Sequence, residues 1–522
     1  MRRLLPLILL ISIFIRDASG QPQQKWVQKY HSSGSQDDFL VDMAIDKEGN
    51  IYATGWTIVD IQNTNYDIVT IKYNNSGELL WTRTYSGSFG GYDAPIGIEM
   101  DDSGYVYVGG NTYDSITGID FLAIKYNSKG DSIWTRTYNH NEEKYDFARD
   151  IYVDGNGNVY ITGSGGNTCP LCPPGYLTIK YNSIGELQWA SIYLSGGSGS
   201  DLPYGIISDT QNNVYITGRT WNAIRHTVKY DSMGDSIWIK GLDTPSVGRQ
   251  VFIDPKYNVL IRGSNFVCKY DSSGNIMWTY DNGSSGLLDM TVNEDYTSYY
   301  LTGQNINGLL VKKLDSSGSL IWEKFYKCSM NSYDVGNSIT LDKEENIYII
   351  GTSDCNSFWN SWITLSYTSD SVFRWIEYYN DGTPFLSDSG LIVLTDTSGN
   401  IYAGGISLGQ SSGWDITIIK YQQLTNLINT SEEIPIDYTL SQNYPNPFNN
   451  YTNIEFKIPK KENVTLEIYD VLGRKADEKS FGSLESGSYK IQYNADKLSS
   501  GVYFYKITTG ERSLTKKFLL VK

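Results

Sequence analysis

A seven-residue segment, Gly157 to Gly163, recurs in near-copies along most of the chain. It reads Gly-Asn-Val-Tyr-Ile-Thr-Gly, so that Val and Ile alternate with Tyr and Thr behind a run of turn-forming residues. This pattern predicts a β-strand that is entered through a tight turn. Because every copy must fit the same structural environment, the repeat constrains the fold more strongly than composition does. The aromatic or apolar residue at the centre of each copy is Tyr52, Tyr107, Tyr160, Tyr215, Leu260, Tyr300, Tyr348 and Tyr402.

Each copy belongs to a longer unit of four alternating segments. In the clearest unit these are 145–154, 158–163, 177–181 and 187–193, separated by Asn, Asp, Ser and Gly residues. Segments of this length and composition, bounded by turn chemistry, predict a four-stranded antiparallel meander. The third segment also occurs eight times and ends at Tyr73, Tyr126, Tyr181, Tyr230, Tyr270, Leu314, Tyr367 and Tyr421.

The fourth segment of the unit carries a Trp. The number and position of these segments indicate how the ring of units closes. Seven copies follow their units, the eighth unit has none, and one extra copy, Trp26 to Tyr30, precedes the first unit. Four strands in roughly 40 to 55 residues are typical of a propeller blade. We therefore predict an all-β, eight-bladed β-propeller over residues 21–424, whose last blade is completed by the N-terminal strand. The seven later Trp residues are Trp81, Trp134, Trp189, Trp238, Trp278, Trp322 and Trp375.

Two motifs within the unit resemble a known family. Asp-x-x-Gly-Asn-x-Tyr-x-Thr-Gly begins at Asp154, and Ile-Lys-Tyr-x-x-x-Gly-x-x-x-Trp runs from Ile179 to Trp189. Both resemble the bacterial propeller repeats of the SBBP type. The resemblance implies the propeller fold but no particular function, since propellers serve as binding proteins and as enzymes.

The sequence changes in character after residue 424. Residues 425–437 are polar and lack the repeat, which predicts a linker, and the segment that follows resembles the C-terminal sorting domain of the type IX secretion system. That resemblance implies export through the periplasm and recognition by the outer-membrane translocon. The motif residues are Asn443, Tyr444, Pro445, Asn446, Pro447, Phe448, Gly473, Gly501, Lys516 and Lys517.

Alternating apolar positions in the tail, among them Val464 and Leu466 and later Val502 and Phe504, predict a small Ig-like β-sandwich over 438–522. An ordinary Ig-like ligand-binding domain is the alternative interpretation. Either way, the tail is a domain separate from the propeller.

The first 20 residues have the pattern of an export signal. Arg2 and Arg3 precede an apolar run from Leu4 to Ile15, and small residues follow up to Gly20. The run is too short to span a membrane comfortably, and no later stretch approaches 18 apolar residues. We expect a secreted or outer-membrane surface protein that travels through the periplasm, without a transmembrane segment.

The charge balance excludes one class of partner. The chain has 42 Lys and Arg against 58 Asp and Glu, which gives a net charge of -16. An acidic surface repels phosphate backbones and anionic lipids, so we expect no nucleic acid partner.

The connections between strands differ in length, and the difference indicates where a ligand could bind. First-to-second and third-to-fourth connections are short hairpins, whereas second-to-third and inter-blade connections vary and are rich in aromatic residues. Variable loops on a rigid scaffold are where binding usually occurs. Covering of blade edges is the alternative role for these aromatic residues. The ligand-binding candidates are Trp56, Tyr66, Tyr113, Tyr176, Trp221, Trp359, Trp362 and Trp414.

An Asp recurs where first strands begin. Because first strands line the axis of a propeller, these residues could form an acidic ring that holds a cation or a basic partner; alternatively, each caps a turn through local hydrogen bonds. The glycine-rich Asp154 to Asn158 segment resembles a calcium loop, but Gly165 stands where the bidentate acid is needed. The recurring residues are Asp38, Asp93, Asp146, Asp201, Asp334 and Asp388.

Five Cys residues in an exported protein leave at least one without a partner within the chain. Cys328 and Cys355 fall on the variable face of one blade, so we predict a disulfide between them. Cys169 and Cys172 suit a small loop disulfide or half of a zinc knuckle, and Cys268 suits a buried thiol. We expect no metal site and no cofactor.

The sequence lacks the common motifs of nucleophilic and metal-dependent catalysis. Its only histidines, His31, His140 and His226, lie in three different repeats, and no nucleophile elbow is present. The leading hypothesis is a non-catalytic binding or adhesion module for an extracellular glycan or protein. An extracellular carbohydrate-active enzyme with paired Asp residues at the axis, or a structural spacer, is the alternative.

Overall fold

The structure is a computed structural model that describes residues 22–522 apart from 33–36, 61–64, 141–145, 166–173, 222–223, 246, 330–331, 356–360, 381–387, 410–412, 423–426, 432–434, 485, 496–497 and 511. The predicted export signal therefore lies outside the described residues. Contacts divide the chain into two units, Gln24–Gln422 and a second unit that contains Gln423–Lys522.

The first unit consists of eight four-stranded antiparallel sheets. Each sheet is one blade, and in seven of them the strands follow chain order from one edge to the other, whereas in the eighth the first three strands are followed by the N-terminal strand of the chain. Numbered in chain order, the first strands of the eight blades are β2 (Asp38–Ile45), β6 (Ala94–Met100), β10 (Phe147–Val153), β14 (Leu202–Ser208), β18 (Gly248–Ile253), β22 (Gly286–Val292), β26 (Asp334–Leu341) and β30 (Asp388–Thr395).

The second strands, which contain the recurring Tyr, are β3 (Ile51–Asp60), β7 (Val106–Asp114), β11 (Val159–Gly165), β15 (Val214–Arg219), β19 (Val259–Gly263), β23 (Ser298–Asn305), β27 (Ile347–Ser353) and β31 (Asn400–Gly409). The third strands are β4 (Asn65–Tyr73), β8 (Gly118–Tyr126), β12 (Gly175–Tyr181), β16 (Ile224–Tyr230), β20 (Phe266–Tyr270), β24 (Gly308–Asp315), β28 (Ser361–Tyr367) and β32 (Gly413–Gln422). The fourth strands are β5 (Leu79–Tyr85), β9 (Ser132–Tyr138), β13 (Leu187–Tyr193), β17 (Ser236–Pro245), β21 (Ile276–Asp281), β25 (Leu320–Tyr326), β29 (Phe373–Tyr379) and, in the eighth blade, β1 (Gln23–Tyr30).

The hairpin between first and second strands is built by one Asp. Asp154 Oδ1 accepts hydrogen bonds from the backbone N–H groups of Asn156 (3.0 Å) and Asn158 (2.9 Å), and Oδ2 accepts from the Asn158 side chain (2.7 Å) and the Tyr160 hydroxyl (3.3 Å). Gly157 has a φ of +79°, and a Cβ there would come within 2.5 Å of the Tyr107 hydroxyl of the preceding blade. The recurring segment Gly157 to Gly163 therefore serves to form a hairpin and to pack neighbouring blades together.

The fourth-strand Trp fastens each blade to the next. Trp134 Nε1 donates to the Ser183 carbonyl (3.2 Å), and its ring lies on Gly185 in the third-to-fourth hairpin of the following blade. Trp26 on β1 makes the same contacts with Asn75 (3.1 Å) and Gly77 of the first blade. The N-terminal strand thus joins the eighth blade to the first, as the other fourth strands join each blade to the next.

The ring is closed by apolar packing as well as by this strand. Strand β2 packs against β30, β31 and β32 of the eighth blade. Leu40 and Met43 of the first blade share one buried cluster with Tyr402 and Ile416 of the eighth. The all-β propeller fold predicted from the repeats is confirmed.

The second unit has two antiparallel sheets around one core, and its assignment to the Ig-like class stays a prediction. The buried core includes Phe456, Leu466 and Phe518, drawn from both sheets. One sheet runs β33 (Leu427–Ser431), β38 (Gly487–Asn494), β35 (Tyr451–Ile458) and β34 (Thr439–Leu440), and the other runs β37 (Lys475–Leu484), β36 (Glu462–Asp470), β39 (Gly501–Thr509) and β40 (Arg512–Leu520).

Two expectations for this unit were wrong in detail. Leu427–Ser431, inside the predicted linker, forms an edge strand on β38, because pairing through the main chain needs no apolar pattern. On β39, Val502 and Phe504 are 41% and 39% exposed, and Tyr505 and Ile507 face the core instead. Both faces of that strand carry large apolar or aromatic residues, so alternation does not reveal which face is buried.

Candidate functional site: the variable face of the propeller

The topology divides the propeller into two faces. The second-to-third and inter-blade connections emerge at what we name the variable face, and the first-to-second and third-to-fourth hairpins emerge at the opposite, hairpin face. Three of the predicted aromatic candidates meet at the variable face of the first and eighth blades.

These three form part of one aromatic cluster, defined as Phe39, Trp56, Tyr66, Tyr92 and Trp414. The ring centroids of Phe39 and Trp56 are 4.3 Å apart with an interplanar angle of 20°, and Trp56 meets Tyr66 edge-on at 5.0 Å. Phe39 also lies 6.3 Å from Trp414, and Tyr66 lies 5.9 Å from Tyr92. A run of interlocked, partly exposed rings gives a rigid surface on which the apolar face of a sugar can stack.

Phe39 and Tyr92 were missed by the sequence reasoning. Each lies next to one of the recurring Asp residues, Asp38 or Asp93, so an aromatic residue beside a recurring Asp was the available signal. Tyr92 is 40% exposed, whereas Phe39 is half-buried between the two Trp rings.

Two carboxylates border the aromatic cluster. Asp37 Oδ1 accepts a hydrogen bond from the backbone N–H of Trp414 (2.9 Å), which fixes the position of that Trp. Asp67 follows Tyr66 on β4, and burial raises the pKa of its carboxyl. A hydrogen bond from Ser86 opposes that effect, and the charge of Asp93 adds a smaller rise. Rings bordered by hydrogen-bond acceptors are the combination that carbohydrate recognition requires.

Tyr113 and Trp221 also lie at the variable face but are not among the five rings of the cluster. They are 37% and 48% exposed. Each ring covers loop glycines: a Cβ at Gly197 would come within 1.5 Å of Trp221 Nε1, and one at Gly91 within 2.9 Å of Tyr113. Part of each ring therefore packs its own loops, which matches the edge-covering interpretation.

Tyr176 and Trp362 are not at the surface, which corrects two of the predicted binding residues. Both side chains are fully buried. The third strands β12 and β28 begin at Gly175 and Ser361, so these rings face the blade interior and meet Tyr193 (5.5 Å) and Tyr379 (5.3 Å). Trp359 lies outside the described residues.

The six recurring Asp residues are at most 3% exposed. The carboxylate caps the loop before its strand by accepting from a backbone N–H six residues upstream, as in Asp93 with Gly87 (2.7 Å) and Asp201 with Ser195 (2.7 Å). The same bond joins Asp38, Asp146 and Asp334 to their loops, and the residue six positions before Asp388 lies outside the described part. This geometry favours loop capping over a cation-binding ring.

A different set of carboxyl groups occupies the innermost strands. Burial raises the pKa of Asp42 to about 6, of Glu99 to about 8 and of Asp150 to about 7, and the charges of Asp42 and Asp150 contribute to the effect on Glu99. Asp42 and Asp150 accept backbone N–H groups of the next blade, from Ile98 (3.0 Å) and Ile206 (2.8 Å). Their oxygens are thus engaged in holding neighbouring blades together.

Cys328 and Cys355 form a disulfide at the variable face of the seventh blade. With Asp334 they are also the only acidic, His or Cys group within the described residues that is close enough to hold a metal ion, but the two sulfurs are bonded to each other. Burial raises the pKa of the Cys268 thiol to about 11, and Cys169 and Cys172 lie outside the described residues.

A cavity of about 450 Å³ opens on the hairpin face between the sixth, seventh and eighth blades. Its walls include Asn293, Asp342 and Glu345. Glu345 accepts hydrogen bonds from Asn293 (3.0 Å) and from the Tyr300 hydroxyl (2.6 Å), and Asp342 caps its own hairpin. Glu345 is therefore engaged in blade packing and Asp342 in its own hairpin.

The predicted sorting residues divide between core and surface in the second unit. Asn443 is buried and donates to the Pro445 carbonyl (3.1 Å) and Thr452 Oγ1 (2.9 Å), and Phe448 packs against Phe518 in the core. Tyr444 is 79% exposed. Lys516 and Lys517 on β40 and Gly473 in a turn are also at the surface of this unit, and Pro445, Asn446, Pro447 and Gly501 complete the motif.

Residues 442–522 match the family described as the secretion system C-terminal sorting domain. Residues 30–62, 133–168 and 188–224 match the family described as the beta-propeller repeat. The chain combines SBBP-type propeller repeats with a type IX sorting domain. Such a domain indicates secretion or export to the outer-membrane surface. In the described part, no helix has the length and apolar character needed to cross a membrane.

Several solved structures are similar to this chain at low sequence identity. The C-terminal WD40 domain of Sif2 is 8% identical, with a TM-score of 0.48 over 77% of this chain and 98% of that one. Streptogramin B lyase is 13% identical, with a TM-score of 0.40 over 62% and 94%. The Dos1 propeller is 10% identical, with a TM-score of 0.41 over 59% and 74%. No curated protein matches the sequence.

Proposed function

We propose that this secreted propeller is a non-catalytic binding module that recognises an extracellular glycan through the aromatic cluster on its variable face. The observation that carries the proposal is the interlocking of Trp414, Phe39, Trp56 and Tyr66 across two blades. These rings belong to strands whose backbones are fixed by the closed ring, so that a ligand does not have to order them on binding.

The carbohydrate-active enzyme has less support. Its expected acids, such as Asp93 and Asp201, are buried and engaged as loop caps, as described above. Asp42 and Asp150, on the innermost strands, have carboxyl groups with raised pKa values. Their oxygens accept hydrogen bonds from backbone N–H groups. A general acid and a nucleophile need free oxygens that face a substrate.

The binding proposal is tested by glycan-array and pull-down assays with the exported protein and a Trp56→Ala, Trp221→Ala, Trp414→Ala variant. Loss of stacking aromatics at a recognition surface should weaken binding by about tenfold or more. The control replaces Ile184 and Met233 by Ala, because these exposed residues lie in third-to-fourth hairpins on the opposite face. A triple variant that is folded and binds as the unmodified protein does would refute the assignment of the face.

A further inference from the structure

A β-bulge occurs at the same position in every first strand. In each blade the register between first and second strands shifts by one residue, which leaves a single first-strand residue without a partner. A bulge redirects the side chain of the unpaired residue. In blade order these residues are Val41, Ile96, Arg149, Tyr204, Arg249, Leu288, Asn337 and Leu391.

The bulge residues belong to the innermost ring of strands. Each first strand is an edge strand of its blade, and first strands of neighbouring blades pack on one another, as β2 does on β6 and β10 on β14. Three consecutive blades contribute side chains that meet: the guanidinium carbon of Arg149 lies 5.2 Å from the centre of the Tyr204 ring, and that of Arg249 lies 4.5 Å from it. We name Arg149, Tyr204 and Arg249 the axial ladder.

The two guanidinium groups of the ladder are without a counter-charge. Arg149 and Arg249 are exposed, and within the part of the chain that the structure describes neither forms an ion pair or donates a side-chain hydrogen bond. In a chain with 58 acidic and 42 basic residues, two adjacent unpaired Arg side chains are a local reversal of charge. Their contact with Tyr204 holds them in place, which lowers the entropy cost of binding an anion.

A third guanidinium group, that of Arg262, lies close to the ladder. Arg262 is buried and donates to Gln250 (2.9 Å) and to the Leu287 carbonyl (3.0 Å). Burial lowers the pKa of Arg262 to about 10; the charge of Asp289 opposes that effect and the charge of Arg249 adds to it, which places Arg249 within reach of a second cation.

The nearest acids do not neutralise these groups through their hydrogen bonds. Asp150 accepts from the backbone of Ile151 and Ile206, and Asp289 accepts from Met290 and Ile339. Their oxygens are directed into the contacts between blades. The guanidinium N–H groups of the ladder remain available to a ligand.

We propose that the axial ladder binds an oxyanion group, a carboxylate or sulfate, carried by an acidic extracellular glycan. Planar guanidinium groups bind such groups through paired, charge-assisted hydrogen bonds. The inference deepens the proposed function and rests on it for the glycan part of the ligand. The anion part rests on the ladder alone and does not require the aromatic cluster.

The test measures binding of oligogalacturonate, of a neutral xylo-oligosaccharide and of inorganic sulfate by calorimetry. An Arg149→Gln, Arg249→Gln variant should bind oligogalacturonate at least about tenfold more weakly, since each lost charge-assisted hydrogen bond is worth that much. The control, Arg83→Gln with Arg136→Gln, removes the same charge from guanidinium groups that stack on Trp81 and Trp134 in outer strands. This control should leave the affinity unchanged.

The outcomes separate this inference from the binding proposal. Loss of oligogalacturonate binding in the ladder variant alone supports the ladder even where the aromatic variant binds normally. Equal binding by the ladder and control variants overturns it, and so does a failure to bind either oligogalacturonate or sulfate. If the Gln pair does not fold, Arg149→Lys with Arg249→Lys keeps the charge but loses the planar fork, and unchanged affinity in that pair also overturns the proposal.

Discussion

At the scale of single residues, Asp side chains have three different structural roles in this propeller. Asp101 builds a hairpin, Asp93 caps a loop, and Asp42 bridges two blades on the innermost strands. Residue type alone cannot distinguish these roles, but the number of N–H and O–H groups that each carboxylate accepts can. The roles differ in cost when the carboxylate is removed.

Replacement of Asp101 by Ala should lower the free energy of unfolding by about 2 to 3 kcal/mol, because it leaves the buried Tyr107 hydroxyl without its 2.8 Å acceptor and removes two turn hydrogen bonds. Asp231→Ala is the matched control. Asp231 makes the same turn bonds to Met233 and Asp235 without a buried Tyr, so its loss should cost less than half as much. Urea unfolding measures both, and equal costs would disprove the role of the Tyr.

The carboxyl groups of Asp42, Glu99 and Asp150 predict an unusual dependence of stability on pH. Burial raises their pKa values in the folded state to about 6, 8 and 7, so the folded protein binds protons that the unfolded chain has released. The free energy of unfolding should therefore fall as the pH rises from about 4.5 to about 8. Thermal melting across this range measures it.

Glu99→Gln should raise the melting temperature at pH 8 and flatten the pH dependence, because it removes the group with the highest of the three pKa values. Glu294→Gln, an exposed position, is the control and should change neither. A melting temperature that rises towards pH 8 in the unmodified protein would contradict the account.

At the scale of elements, the N-terminal strand β1 differs from the other fourth strands because it pairs with β32, which lies far away in the sequence. Trp26 joins β1 to the hairpin of the first blade, and its ring lies 6.5 Å from Tyr73 and 6.1 Å from Tyr402. Trp134 makes equivalent contacts between two blades that are consecutive in the chain.

Trp26→Ala and Trp134→Ala should lower the free energy of unfolding by similar amounts, about 3 to 5 kcal/mol, since each removes a large ring from an equivalent interface. Chemical unfolding of the two variants is the measurement. If Trp26→Ala lowers the free energy of unfolding much less than Trp134→Ala does, strand β1 does not close the ring.

The sequence predicted the elements better than the faces of the elements. Eight copies of a strand and a Trp that is absent after the last repeat but present before the first one determine the number of blades and the closing strand. Trp56 on a second strand is partly exposed and Trp362 on a third strand is buried, although the sequence presents both as aromatic residues beside a loop. Their exposure depends on the residues packed around them, which the repeat pattern does not reveal. The bulge residues of the axial ladder were missed because first strands vary most between repeats and a bulge leaves no periodic signal.

At the scale of the whole molecule, the two units have different tasks. The propeller is acidic, whereas residues 438–522 carry 13 Lys and Arg against 9 Asp and Glu. The sorting domain has its own core, which requires no residue of the propeller. Under the proposed function, transport therefore belongs to the tail and recognition to the propeller.

A chain that ends at Gln422 should be retained in the periplasm, because the part that the translocon recognises is missing. Cell fractionation with immunoblotting measures the distribution. The full-length Trp56→Ala, Trp414→Ala variant is the control and should be exported normally, since its tail is intact. Normal export of the shortened chain would refute the role of the tail.

The central claim is that recognition takes place at the variable face, and hydrogen exchange with the strongest glycan from the array tests it most directly. Bound glycan should slow amide exchange around Asp37 to Phe39, at Trp56 and Tyr66 and at Gly413 to Asp415, where the aromatic cluster lies. Protection confined to Asn293, Asp342 and the other residues that line the cavity on the hairpin face would contradict the claim.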